Sequence, residues 1–89
     1  MIYHVEFSEN ALKTLKKLDK FTVRIIYEWI EKNLEGCEDP RAHGKALFAN
    51  RHGQWRYRIG DYRIIALILD DKLIIQVINI GHRKTIYIR

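Results

Sequence analysis

Three β-rich runs, "QWRYRI", "YRIIALIL" and "KLIIQVINI", follow one another with only Gly60-Asp61 and Asp70-Asp71 between them. β-Branched and large apolar residues dominate the last two, as suits a pleated, half-buried surface. Links this short join antiparallel neighbours and leave no room for a crossover helix, so the C-terminal half is predicted to be a run of hairpins. A sheet with one apolar face must be covered, and the first forty residues supply the cover. "IYHVEF" alternates Tyr3, Val5 and Phe7 with His4 and Glu6, the period of a strand. Ser8 is then placed to cap a helix over "ENALKTLKKL", with Ala11, Leu12, Leu15 and Leu18 at helical spacing. After a break near Asp19-Lys20, Val23, Ile26, Ile30 and Leu34 mark a second helix that Gly36 stops.

"CEDPRAHGKALFANRHG" has no sustained period and reads as a loop crossing with a short strand at 46–48. The expected class is therefore α+β in the order β-α-α-β-β-β, with two N-terminal antiparallel helices packed on one face of a mainly antiparallel sheet. At 89 residues, without repeats or a linker, residues 1–89 are expected to form a single domain.

Cys37 is the only cysteine, so no intramolecular disulfide or Cys-rich zinc site is available, and a reducing compartment is expected. His4, His43, His52 and His82 lack metal-ligand spacing, so neither a metal nor a cofactor is expected. The N-terminus has no export signal and no run is long enough to span a membrane, which makes a cytoplasmic protein the expectation. The net charge of +5 is unevenly spread. Residues 1–40 carry six Lys/Arg against eight Asp/Glu, a balance of −2, whereas residues 41–89 carry ten against three, or +7. Such an asymmetry suits a polyanion partner, although a basic surface kept for solubility has the same composition.

The hairpin "GQWRYRIGDYR" concentrates this charge. With Gly60-Asp61 as a two-residue turn, Arg58 falls opposite Arg63, and Arg56, two residues earlier, shares their face. Tyr57, Ile64, Ala66 and Ile68 then point the other way, with Leu73, Ile75 and Val77 of the last strand beside them in the core. Like charges across a ladder are unfavourable, and an anion between them removes the penalty. Arginine forks match phosphate oxygens and stay charged at any physiological pH, so the patch reads as a phosphate clamp. A solvated strand face is the alternative.

"HGKAL", "GQWRYRIGDYRII" and the terminal "GHRKTIY", in this element order, resemble the RelE/ParE superfamily of bacterial toxin-antitoxin toxins along the whole chain. The RelE-like branch implies a ribosome-dependent endoribonuclease that cuts mRNA in the ribosomal A site without metal, by attack of the 2′-hydroxyl on the adjacent phosphate. The resemblance assigns catalytic positions to Arg56, Arg58, Arg63, Arg83 and Tyr87, with His82 as a spare proton-exchanging group. Lys45, Arg51, Trp55 and Lys84 are candidate RNA contacts, and Trp55 reads equally as a packing anchor. One departure stands out: the best-known RelE pattern has lysines at the positions of Arg56 and Arg58, one of them a candidate general base, and arginine is a poor base. The resemblance also implies a cognate antitoxin, RelB-like, with an acidic wrapping segment. The competing reading is a ParE-like toxin that poisons DNA gyrase; a plain RNA-binding module is the third.

Overall fold

A computed structural model of the chain describes residues 1–47 and 53–82. It contains β1 (His4–Phe7), α1 (Glu9–Lys17), α2 (Lys20–Asn33), a 3-10 turn at Pro40–Ala42, β2 (Lys45–Ala46), β3 (Gln54–Ile59), β4 (Tyr62–Leu69) and β5 (Ile74–His82). The five strands form one sheet in the order β1-β5-β4-β3-β2, parallel between β1 and β5 and antiparallel elsewhere. The expected α+β order is present. The short strand expected at 46–48 starts one residue earlier, at Lys45, and Phe48 lies outside the described residues.

Local chemistry places the helix ends. The Ser8 hydroxyl accepts from the Ala11 backbone N–H and opens α1. Asp19 does the same for α2, accepting from the Thr22 backbone N–H and its hydroxyl, and these bonds hold its carboxyl below the ordinary range. Gly36, at φ +78°, turns the chain back past the helix end. Its N–H then donates to the Tyr3 carbonyl, and the Tyr3 N–H donates to that of Cys37. Glu35 accepts from the Val5 N–H at 2.9 Å and meets His4 at 2.7 Å, so the outer edge of β1 is occupied rather than left to pair with another chain.

Both helices cover one face of the sheet. Ala11 and Leu15 of α1, and Ile26 and Ile30 of α2, are buried with Leu34 against Tyr57, Ile59, Ile64, Ala66, Ile68, Ile75, Val77 and Ile80. Leu12, expected among them, is instead exposed, because a nine-residue helix buries only the narrow stripe of Ala11, Leu15 and Leu18. β5 serves the core along its length through a bulge. Ile65 faces Asn79 and Ala66 faces Val77, so Ile78 is an extra residue and the inward parity shifts from Ile75 and Val77 to Ile80. The Ile78 carbonyl accepts from the Ser8 hydroxyl and the Asn10 amide, which ties the start of α1 to the bulge.

The β4–β5 connection is longer than the two-aspartate link expected from sequence. Residues 70–73 form the turn, and Leu73 sits in it at φ +56° instead of opening the strand. Asp70 explains the difference, since its carboxylate is held by a bidentate pair from Arg41 at 3.0 and 2.8 Å and by the Tyr3 hydroxyl at 2.6 Å. Three distant segments meet on one carboxylate. The guanidinium above all, and then the hydroxyl, lowers the Asp70 pKa to about 2.

Behind β3, the Tyr57 ring is fully buried and its hydroxyl donates to the Pro40 carbonyl at 2.7 Å. The Trp55 indole donates to the His43 carbonyl at 2.7 Å. Gly44 follows at φ +88°, where a Cβ would fall onto the Arg56 carbonyl oxygen. Glycine is therefore required where β2 is laid against β3. No helix among the described residues is long and apolar enough to cross a membrane.

Two outcomes follow from this architecture. Gly44→Ala combines left-handed strain with a backbone collision and should destabilise the fold by roughly 2 kcal/mol or more, read as a lowered urea midpoint. Asp70→Asn should cost about 0.5–1 kcal/mol at neutral pH, a small figure because the pair is half exposed to solvent. The Asp70 carboxyl titrates lower in the folded chain than in the unfolded one, so its stabilisation is complete above about pH 4 and lost toward pH 2. Thermal unfolding of the two proteins should differ most near neutrality and converge in acid.

Candidate nucleic-acid interface

The face of the sheet turned away from the helices carries the charge. Gly60, at φ +59°, takes the first position of the two-residue turn while Asp61 keeps a negative φ, the pattern of a type II′ hairpin. That turn fixes the register: Ile59 faces Tyr62, Arg58 faces Arg63, Tyr57 faces Ile64 and Arg56 faces Ile65. Directly paired residues share a face, so Arg56, Arg58 and Arg63 lie together, opposite to Tyr57 and Ile64. β2 adds Lys45, paired with Arg56 on the same face. The site is thus two adjacent rows, Arg58 with Arg63 and Lys45 with Arg56.

The rows differ in depth. Arg63 is 7% exposed and is the only buried charged residue among the described ones. Arg58 is exposed, makes no ion pair among the described residues, and stands directly across the ladder from it. Arg56 is half-buried and Lys45 exposed. Arg56 and Arg63 each have an interaction partner within the molecule. A desolvated guanidinium exerts a stronger field on an approaching anion than one in water, and its planar fork is already oriented. Among the described strand residues, the carboxylate on this face is Glu6, in the row of Gln54, Leu67 and Gln76 and three strands from β3, roughly 14 Å away. Gly81 occupies the position across from Arg63 on β5.

Two candidates from the sequence reading fall on the other face. Trp55 shares the helix side with Tyr57, packs against the core, and its indole N–H is already used by His43. His82 pairs with Tyr62, and the two rings meet edge to face at 5.5 Å on that same side. Neither is brought together with the arginines. Arg51, Arg83, Lys84 and Tyr87 lie outside the described residues. Gln54 escaped the sequence reading although it stands two residues before Arg56 and so shares its face; the period-2 rule that located the arginines also locates it.

Among the described residues no group of three His, Cys, Asp or Glu side chains is placed to hold a metal ion. The Cys37 thiol is pushed up by burial and, less strongly, by the nearby Asp39 and Glu35 charges. That is the opposite of an activated nucleophile. What the described face offers is fixed positive charge on a rigid sheet.

The family model for the ParE toxin of type II toxin-antitoxin systems matches residues 5–87. The mRNA interferase toxin RelE of Escherichia coli is 34% identical over 86 residues, covering 94% of this chain and 86% of that protein. Among solved structures, the toxin of the RelBE2 toxin-antitoxin complex from Mycobacterium tuberculosis superposes with a TM-score of 0.83 at 26% identity, over 93% of this chain and all of that one. The toxin of the archaeal RelE-RelB complex from Pyrococcus horikoshii gives 0.73 at 26% identity over 96% and 99%. With the hairpin register, the helix-covered sheet and these likenesses all in agreement, this chain belongs to the RelE/ParE superfamily of type II toxin-antitoxin toxins.

Proposed function

We propose that this toxin is an endoribonuclease that cleaves messenger RNA in the ribosomal A site, with the Arg58–Arg63 pair and the adjacent Lys45–Arg56 row gripping the scissile phosphate. One observation carries the reading: two arginines face each other directly across a rigid hairpin, one buried and one exposed, with Arg56 and Lys45 in the adjacent row, a fixed concentration of positive charge that suits a phosphate. The relatives named as mRNA interferases support the substrate class.

The reaction needs the 2′-hydroxyl to lose its proton and attack phosphorus while the bond to the 5′-oxygen breaks and that oxygen gains a proton. Negative charge builds on the phosphorane oxygens in between, and fixed guanidiniums stabilise it without reorganising. Arginine cannot take the hydroxyl proton at neutral pH, so Arg56, Arg58 and Arg63 act as clamps. Arg83 and Tyr87 are proposed as the further cation and the proton-exchanging group, because the register turns His82 toward Tyr62. The ribosome positions the message and supplies much of the entropic advantage. A RelB-like antitoxin with an acidic segment is the proposed partner, in keeping with relatives solved as RelE-RelB complexes.

Gyrase poisoning is the competing reading, favoured by the name of the matching family model. Inducing the toxin in translating cells separates the two: cuts within codons support the ribonuclease, and gyrase trapped on DNA overturns it. On programmed ribosomes, Arg63→Ala should lower single-turnover cleavage by about a hundredfold or more, the scale of losing one preorganised transition-state contact. Arg58→Ala should also weaken binding and reduce the salt dependence by about one phosphate contact. Undiminished cleavage by both variants removes the assignment.

A further inference from the structure

Gln54 opens β3 with its side chain on the arginine face, directly across from Leu67 and two residues from Arg56. The residue is half-buried, and its Oε1 atom is shielded from solvent with no hydrogen-bond partner among the described residues. A buried amide oxygen without a donor is a costly state for the free protein, so an orphan on a ligand-binding face points to a donor brought by the ligand. Phosphate cannot be that donor, since it presents only acceptors. The donors of an RNA strand are 2′-hydroxyls and the N–H groups of its bases. Strand geometry sets Gln54 about 7 Å beyond Arg56 and about 13 Å beyond Arg58, a separation that suits a base one step along from a phosphate held by the arginines. Leu67, half-buried and directly across from it, gives the flat face of a base an apolar surface.

We propose that Gln54 is a specificity-determining residue that reads an adenine next to the scissile phosphate, its Oε1 accepting from the N6 amino group and its Nε2 donating to N7. A primary amide matches that donor–acceptor edge with two bonds. Guanine offers acceptors at both positions and would leave Oε1 orphaned, and the pyrimidines have no N7. The inference rests on the ribonuclease reading above and adds to it the base that is selected.

The test is single-turnover cleavage on ribosomes programmed with one A-site codon, with adenine at each position replaced in turn by purine, which lacks the amino group, or by 7-deazaadenine, which lacks the N7 acceptor. At one position each replacement should slow the wild-type protein roughly tenfold or more. Gln54→Leu should cut the adenine codon as slowly as wild type cuts the purine codon, and the purine codon at the unchanged wild-type rate. Gln54→Glu, which keeps the acceptor and loses the donor, should become indifferent to 7-deazaadenine while remaining sensitive to purine, and it supplies the comparison should the leucine variant not fold. A wild-type protein indifferent to both replacements, or variants slowed equally on every codon, overturns the inference and leaves the ribonuclease standing. A wild-type protein that cuts no codon overturns both.

Discussion

The register of one hairpin governs this structure. A two-residue turn at Gly60-Asp61 pairs Ile59 with Tyr62, and with that pairing every following residue of β3 and β4 is committed to a face. Slipping the register by a single residue would turn Tyr57 and Ile64, both fully buried, toward the charged side and place arginines under the helices. No such alternative is close in energy, because burying an uncompensated guanidinium in an apolar core is far costlier than leaving an aromatic ring in water. Core and site therefore enforce each other. The apolar side chains that hold the helices down are what hold the arginines up.

Second-tier contacts make that platform rigid. Tyr57 anchors β3 from below through Pro40, Trp55 does so through His43, and Gly44 lets β2 pass close enough to present Lys45 beside Arg56. On the far side of the sheet, Asp70 joins the loop, the N-terminal strand and the β4–β5 turn. Preorganisation of this kind matters more for a phosphate clamp than the number of charges. A flexible cation must be ordered when the transition state forms, whereas one fixed by its strand is ordered beforehand.

Much of this was legible in the sequence because it follows from local rules. Period-2 alternation, the Ser8 cap, the Gly36 stop and the Gly60-Asp61 turn each act within a few residues, and together they dictated the element order and the common face of Arg56, Arg58 and Arg63. What escaped depends on contacts between distant segments. Leu73 reads as the start of a strand, yet Arg41 and Tyr3 hold Asp70 so that the turn absorbs it. The bulge at Ile78 is set by Ser8 and Asn10, some seventy residues away, and it determines the inward parity of the end of β5. His82 beside Arg83 looked like a member of the charged site; a bulge four residues upstream decided otherwise. Trp55 was ambiguous for a simpler reason, since sequence alone does not reveal whether an indole N–H has a partner inside the fold.

The arginines at positions 56 and 58 acquire a physical rationale from this crowding. A lysine among like charges has its pKa driven down, and at the half-buried position of Arg56, on a face already holding Arg63 and Lys45, partial desolvation pushes it the same way. Such a lysine can serve as a base, but it gives up the charge that attracts an anion. A guanidinium in the same place keeps its charge whatever its neighbours do. The two residue types thus divide the chemistry differently: lysine combines proton transfer with a weaker field, and arginine keeps the full field and leaves proton transfer to another group. A sheet that places four cations in two adjacent rows, with one of them buried, favours the second solution, because each added positive charge that would neutralise a lysine only strengthens the grip of an arginine on an anion.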